Sequence, residues 1–491
     1  MARGLLLAID QGTSNTKALL VDGGGAPVFQ ASVPVALLQP QAGFVEQDPA
    51  ELWASVCEAI AECVGYAGAK GKRIEGIAIS NQRETAVAWR AGLQPIGNAI
   101  SWQCRRSGEI LNRLGSRHGF IRKLTGLPVD PLVTAGKWSW LLEQQPELRV
   151  DCDLRLGTVD AWLLANLTGG AVHATDHSNA SRTALLDLAT LGWSEELCGL
   201  FRLPIAALPR LQASASRFGT CTAIAALKGV PIVAMAGDSH AALFGHGSYW
   251  PGAVKATYGT GSSLMMLTAG LAEETESLAR TIAWSTNAGV QFALEGNVPM
   301  TGSAVQWVGE FLGLEHPTED AVAMAAGVED AGGVVFVPAM VGLGAPHWDS
   351  KARGTICHLE RWHSAKHLAR AALDAIEYQV ADVFFAMKAT AKTEVQSLRV
   401  DGGATRNGSL MQMQADLLGC TVERSVNEDL SALGAAWLGG ITLGWWQMTD
   451  LAERSHDAQS FEPMMSAQRR SELCDRWTVA VARARLQGEC L

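Results

Sequence analysis

The stretch Leu5-Leu6-Leu7-Ala8-Ile9-Asp10-Gln11-Gly12-Thr13-Ser14-Asn15-Thr16-Lys17-Ala18-Leu19-Leu20-Val21 joins two apolar runs through a short polar turn. Gly4–Asp10 reads as a strand and Thr16–Val21 alternates into a second, so the segment predicts a β-hairpin with Gly12 in its turn. Pro27–Val35 predicts a third strand after Gly23, Gly24 and Gly25. Asp48 and Pro49 have the N-cap and first-turn chemistry of a helix start. Leu52, Val56, Ala59, Ile60 and Cys63 then fall at helical spacing. A strand over Ile74–Ser80 follows and runs into Asn81-Gln82-Arg83-Glu84.

The pattern starts again in the second half. Val254–Tyr258 predicts a strand that enters Gly259-Thr260-Gly261-Ser262-Ser263 and continues as the apolar Leu264–Leu267. Leu398-Arg399-Val400 leads into Asp401-Gly402-Gly403-Ala404, ahead of a helical stretch from Ser409 to Leu418. Strand, glycine turn and helix recur in both halves. The expected fold is therefore α/β, with two related domains over residues 1–245 and 246–491 and a cleft between them.

At 491 residues the chain exceeds what one core ordinarily supports, which also points to two domains. Its formal charge of -10 argues against nucleic acid or an anionic membrane as partner, since both require a basic face. Gly4–Ile9 is too short for a signal-peptide core, and Ala331–Pro346 is interrupted by Gly and Pro, so no membrane insertion is expected. The cysteines form no C-x-x-C pair, which indicates neither a zinc site nor a disulfide framework; a cytoplasmic location with reduced thiols is expected. A homo-oligomer is left open.

Three turns at predicted strand ends set glycine beside Thr, Ser or Asp: Asp10-Gln11-Gly12-Thr13-Ser14, Tyr258-Gly259-Thr260-Gly261 and Asp401-Gly402-Gly403-Ala404. Glycine lets backbone N–H groups close on an anion and hydroxyls add donors, a combination suited to a polyphosphate. None matches a Walker A or G-x-G-x-x-G pattern. Asp238 follows the apolar strand Pro231–Met235 and precedes the helical Ala241–Phe244. On local sequence alone its surroundings favour a helix N-cap; the alternative is a carboxylate at the C-terminal end of a strand, where open α/β sheets present reactive groups. Arg83 and Glu84 offer a donor fork and an acceptor side by side, a match for a diol, with a solvated ion pair as the plain alternative. His363 and His367 lie four apart across a helix start, and no metal role is expected of them.

Longer motifs then occur in register along nearly the whole chain. They include Ala8-Ile9-Asp10-Gln11-Gly12-Thr13-Ser14, Asn81-Gln82-Arg83-Glu84-Thr85, Trp102-Gln103-Cys104-Arg105-Arg106 and Asn179-Ala180-Ser181-Arg182-Thr183. Further on come Ala236-Gly237-Asp238, Thr257-Tyr258-Gly259-Thr260-Gly261, Gly342-Leu343-Gly344-Ala345-Pro346 and Val400-Asp401-Gly402-Gly403-Ala404. Together they resemble the FGGY carbohydrate kinases, glycerol kinases most closely, within the actin and hexokinase superfamily. The resemblance implies two actin/hexokinase-like (ribonuclease H-like) domains around an ATP and substrate cleft. It also implies phosphorylation of a hydroxyl on a small polyol or sugar, using ATP and Mg2+.

Carried over position by position, the resemblance implies that Asp238 is the general base and that Asp10 and Asp238 lie near Mg2+. Thr13, Ser14, Asn15 and Lys17 would form the first phosphate turn. Thr260, Gly302, Gln306, Gly403 and Asn407 would contact the nucleotide, and Arg83, Glu84 and Trp102 the acceptor. Lys17 stands where the family commonly has Arg, keeping the charge but not the fork. Three acceptor positions depart from the glycerol-kinase pattern: Leu132 replaces a Tyr, Ser239 a Gln and Ser263 a Phe. Glycerol is the nearest named acceptor, yet the altered pocket suggests a tetritol, pentitol or pentulose, with glycerol a poor substrate. An actin-like nucleotide-binding regulator without turnover is the rival reading. The presence of Asp238 together with Arg83, Glu84 and Trp102 argues against it.

Overall fold

A computed structural model describes residues 3–454 and 458–486. The opening hairpin forms as expected. Leu5–Gln11 pairs antiparallel with Asn15–Asp22, and Pro27–Pro34 extends the sheet. On its other side Leu5–Gln11 pairs parallel with Ile74–Asn81, which is parallel to Pro231–Gly237, and Gly219–Thr220 completes a six-stranded sheet. The helix Pro49–Ala69 starts where the Asp48 carboxylate accepts from the Ala50 amide. Its Leu52, Val56, Ala59, Ile60 and Cys63 share a core with Leu7, Ile9 and Leu20 of the sheet, so helical and strand periodicities meet on one apolar layer.

The second sheet repeats this plan. Val254–Tyr258 pairs antiparallel with Ser262–Thr268, which pairs antiparallel with Gly289–Val298. On its other side it pairs parallel with Ser397–Asp401, which is parallel to Thr421–Ser425. Ala279–Thr286 and Ala458–Phe461 complete seven strands. Each sheet thus extends its hairpin with antiparallel strands on one side, one further strand in the first sheet and two in the second, and with two parallel strands on the other. The long helix Ala365–Ala391 covers the second sheet, with Ile376, Val380 and Phe384 against Leu264, Leu294 and Val400.

The two halves also share a core. The helix Leu430–Thr442, late in the sequence, packs on the first sheet and against the helix Asp238–Gly245. Gly434 permits the approach, since a Cβ there would stand 1.8 Å from the Ala241 carbonyl oxygen. Leu6, Ala8 and Val233 of the first sheet therefore pack with Phe244, Leu433 and Trp437. The indoles of Trp437 and Trp446 donate to the carbonyls of Gly25 and Gly23 at 3.0 and 3.1 Å, which ties the first sheet's glycine turn to the C-terminal helical region. Among the described residues no helix is long and apolar enough to cross a membrane.

Candidate active site

The strands Leu5–Gln11, Ile74–Asn81 and Pro231–Gly237 are parallel neighbours, so their C-terminal ends deliver side chains to one place. Asp10 and Ala236 both register with Ser80, and the Ser80 hydroxyl donates to Asp10 at 2.7 Å. Burial, opposed by that hydrogen bond and helped by the Asp238 charge, pushes the Asp10 carboxyl up to about 6. Asp238 is the first residue of its helix, with Gly237 in the capping position, so its carboxylate is not spent as an N-cap. Its Oδ1 accepts from the Ser239 amide at 2.6 Å and from Arg83 Nε at 3.0 Å. Among the described residues no donor reaches Oδ2.

Arg83 and Glu84 do not form a solvated pair. Arg83 Nη1 donates to Glu295 at 2.6 Å, while Glu84 is buried and accepts from Arg182 Nε at 2.6 Å. Arg182 Nη1 stands 2.7 Å from the other Glu295 oxygen. Glu84 holds a left-handed backbone, φ 60°, which strains a residue with a Cβ. Its carbonyl is fixed there by the Thr134 hydroxyl at 3.2 Å and the buried Lys137 ammonium at 3.1 Å. Burial lowers the Lys137 pKa to about 8. Lys137 also donates to the Leu132 carbonyl, so one side chain ties the Glu84 and Leu132 loops together. Trp102 donates from its indole to the Thr13 hydroxyl at 2.9 Å, and its ring remains exposed.

The second sheet faces this group with a polar surface. Cross-strand partners share a face, and Asp401 registers with Thr257, Thr257 with Ser263, Ser263 with Asn297 and Met265 with Glu295. Tyr258, Leu264, Leu294 and Val400 occupy the opposite, core face. Glu295 reaches Arg83, so Thr257, Ser263, Asn297 and Asp401 look toward the first sheet as well. The Asn297 amide donates to Glu295 at 3.3 Å. The Ser263 hydroxyl is buried with no partner among the described residues. Lys255, on the same face, donates to the Thr257 hydroxyl at 3.0 Å, and burial lowers its pKa to about 8.

The glycine turns of this sheet sit next to one another. The Gly302 amide donates to the Gly259 carbonyl at 3.1 Å, and the Ser303 amide to the Thr260 carbonyl at 3.1 Å. Gly402 has φ 98° and lies against Tyr258, whereas a Cβ on Gly403 would meet nothing within 4 Å. Asn407 uses its side-chain oxygen to cap the helix Gly408–Leu418, accepting from Ser409 and Leu410, so only its amide nitrogen is left for a ligand. Gln306 is exposed and donates to Glu310 at 2.9 Å. From the first turn, Lys17 reaches across to Asp429 at 2.5 Å. Burial works against the Lys17 charge, but Asp429 outweighs it and leaves the pKa above its ordinary value. Ser14 and Asn15 are exposed at the tip of the hairpin.

Residues 5–245 match the model of the N-terminal domain of the FGGY family of carbohydrate kinases, and residues 254–443 match that of its C-terminal domain. The chain belongs to this family. It is an FGGY carbohydrate kinase, which transfers a phosphoryl group from ATP to a hydroxyl of a small polyol or sugar. A curated glycerol kinase from Symbiobacterium thermophilum is 42% identical over 493 residues, 99% of each chain. The apulose kinase of Pectobacterium atrosepticum is also 42% identical, over 496 residues and 99% of each chain. Relatives named for different acceptors thus stand at equal identity, so similarity alone does not choose an acceptor for this FGGY kinase. The crystal structure of Plasmodium falciparum glycerol kinase with ADP superposes with a TM-score of 0.91 at 30% identity, covering 98% of each chain.

Sequence reasoning assigned no role to Glu295, Arg182, Asn297 or Asp429. A lone carboxylate inside the apolar run Phe292-Ala293-Leu294-Glu295-Gly296 was the available signal, because a buried charge requires a partner. His363 and His367 do not form a pair for a metal. His367 Nδ1 accepts from the Ser364 amide in a capping box, and His363 Nε2 lies 3.1 Å from the Gly332 carbonyl.

Proposed function

We propose that this FGGY kinase phosphorylates, with MgATP, a polyol or ketose of four or more carbons in preference to glycerol. The observation that carries the reading is the Ser263 hydroxyl, buried on the polar face of the second sheet without a partner. An unpaired buried hydroxyl costs about 1–3 kcal/mol, which a further hydroxyl on the acceptor would relieve. Leu132 and Ser239 add an apolar wall and a small polar group at the same pocket, with Arg83, Glu84 and the open Trp102 face as its other contacts.

In this reading Asp238 Oδ2 takes the proton of the acceptor hydroxyl. The acceptor oxygen forms its bond to the γ-phosphorus as the bond to the β–γ bridging oxygen breaks, and ADP leaves. Thr13, Ser14, Asn15 and Lys17 approach the phosphates from the first domain, residues 1–245. Thr260, Gly302, Gly403 and the Asn407 amide approach from the second, residues 246–491, with Gln306 toward the nucleoside. Asp10 and Asp238 are the residues that would hold Mg2+. The fit is chemical: two carboxylates offer hard oxygen ligands, and Asp10, whose pKa is raised first by burial and further by the Asp238 charge, would be relieved by a cation. Bound there, the ion would neutralise phosphate charge.

The test is kcat/KM for glycerol against C4–C6 polyols and ketoses at fixed MgATP, followed by ADP release. A larger acceptor should lead by roughly one to two decades. A tenfold lead for glycerol would overturn the proposal.

A further inference from the structure

Glu295 is fully buried, yet it carries the charge that joins the two halves of the site. It projects from the second sheet, and its two carboxylate oxygens face guanidiniums of the first half: one accepts a hydrogen bond from Arg83 at 2.6 Å, and the other stands 2.7 Å from Arg182 Nη1 as an ion-pair contact without hydrogen-bond alignment. Burial alone would raise its pKa, but Arg182 and Arg83 hold it well below the usual carboxylate range. Arg83 in turn holds Asp238, and Arg182 holds Glu84. We propose that Glu295 is a positioning residue for phosphoryl transfer, setting the Arg83 guanidinium so that Asp238 is gripped through one oxygen only.

The reasoning is geometric. Arg83 offers Nε to Asp238 Oδ1 and Nη1 to Glu295, so its fork is split between two carboxylates. That split leaves Asp238 Oδ2 open to a substrate hydroxyl. Without the Glu295 charge, Asp238 becomes the stronger anionic partner of Arg83. The favoured pairing is then two-armed, with both Asp238 oxygens accepting from the guanidinium. A carboxylate so engaged is a poor proton acceptor and blocks the approach of the hydroxyl. Because Glu295 rides on the second sheet, the split fork exists only while the two sheets face each other. The base is thereby set by the same approach that brings the nucleotide turns to the acceptor.

This inference rests on Asp238 as the base, and two variants separate the two claims. Glu295→Gln keeps the shape and removes the charge. It should lower kcat about 10- to 100-fold and raise the acceptor KM, while the ATP dissociation constant stays within about twofold. Glu295→Asp keeps the charge but shortens the reach, and should recover part of kcat. Thermal unfolding monitors the fold in each variant. If Glu295→Gln does not fold, the Asp variant decides alone, since a positioning role predicts lowered kcat in a stable protein. Asp238→Asn inactive beside near-normal turnover in the folded Glu295 variant would overturn this inference and leave the base assignment standing. Equal losses of ATP binding and acceptor turnover would reduce Glu295 to a structural ion pair. An active Asp238→Asn would instead overturn the base itself.

Discussion

Around Asp238 the recognition groups are charged side chains that neutralise one another: Arg83, Arg182, Glu84 and Glu295 in one buried chain. Around Thr260 and Gly403, the proposed phosphate side, they are backbone turns: those at Gly259, Gly261 and Gly302 pack closely on one another, while Gly403 has open space in front of it. The difference follows from the ligands. A polyphosphate is an anion that backbone N–H groups satisfy wherever glycine lets them approach. A neutral polyol carries no charge to attract, so each hydroxyl must meet a donor or acceptor already fixed in place, and fixing long charged side chains takes partners for their other ends.

The largest test of this contrast is Asp238→Asn. Turnover should fall by about 10²–10⁴ while ATP binding is retained, because the proposed base acts on the acceptor hydroxyl and not on the nucleotide. Coupled ADP release and calorimetric ATP titration measure the two separately. A parallel fall in both would erase the distinction between the sides.

A second test separates neighbouring glycines. A Cβ on Gly402 would stand 2.2 Å from the Tyr258 carbonyl oxygen, at φ 98°, so Gly402→Ala should cost about 2–4 kcal/mol of stability. Gly403→Val points its side chain into open space and should leave Tm unchanged. It should weaken ATP binding about tenfold, or 1.4 kcal/mol, by filling the room for phosphate. Thermal unfolding and nucleotide titration of both variants check this. The backbone-turn picture fails if Gly403→Val binds ATP normally.

Asp10 gives a pH signature. Its folded pKa of about 6 lies above the ordinary carboxylate value of 3.8, so folding favours its protonated form. That contribution is present below about pH 4 and is lost as pH rises through about 6. Asp10→Asn should therefore stabilise the metal-free protein at pH 7–8 by roughly 1–2 kcal/mol, with the gain vanishing near pH 4. Calorimetry without divalent cations at both ends of this range is the measurement. A pH-independent difference would remove the electrostatic explanation.

The smallest effect is expected at the bridge between the two sides. Lys17 and Asp429 are both partly exposed, so Asp429→Asn should change stability by less than about 1 kcal/mol. Freed from its partner, Lys17 should bind ATP two- to threefold tighter, roughly 0.5 kcal/mol, in a calorimetric titration. Weaker binding would mean that Asp429 orients Lys17 rather than competing with phosphate for it.

The sequence by itself determined the repeated hairpins, the glycine turns and the place of Asp238 at a strand end. Each depends on neighbours within a few residues: alternation, a turn glycine, an apolar run ending in a carboxylate. Asp10-Gln11-Gly12-Thr13 was legible for that reason, and the full series of motifs gave the family. Other features were decided only by the tertiary structure. The pairing of Arg83 with Glu295 spans 212 residues, and that of Lys17 with Asp429 spans 412. Arg83 and Glu84, adjacent in the chain, turn to different partners because Glu84 adopts a left-handed backbone that Thr134 and Lys137 hold in place. Asn407 is a helix cap as well as a candidate ligand, a double use that the letter Asn does not reveal. Local chemistry limits which conformations a segment can take. Which buried charges neutralise which is settled only when the two sheets face each other, because the cost of an unpaired charge exists only once water is gone.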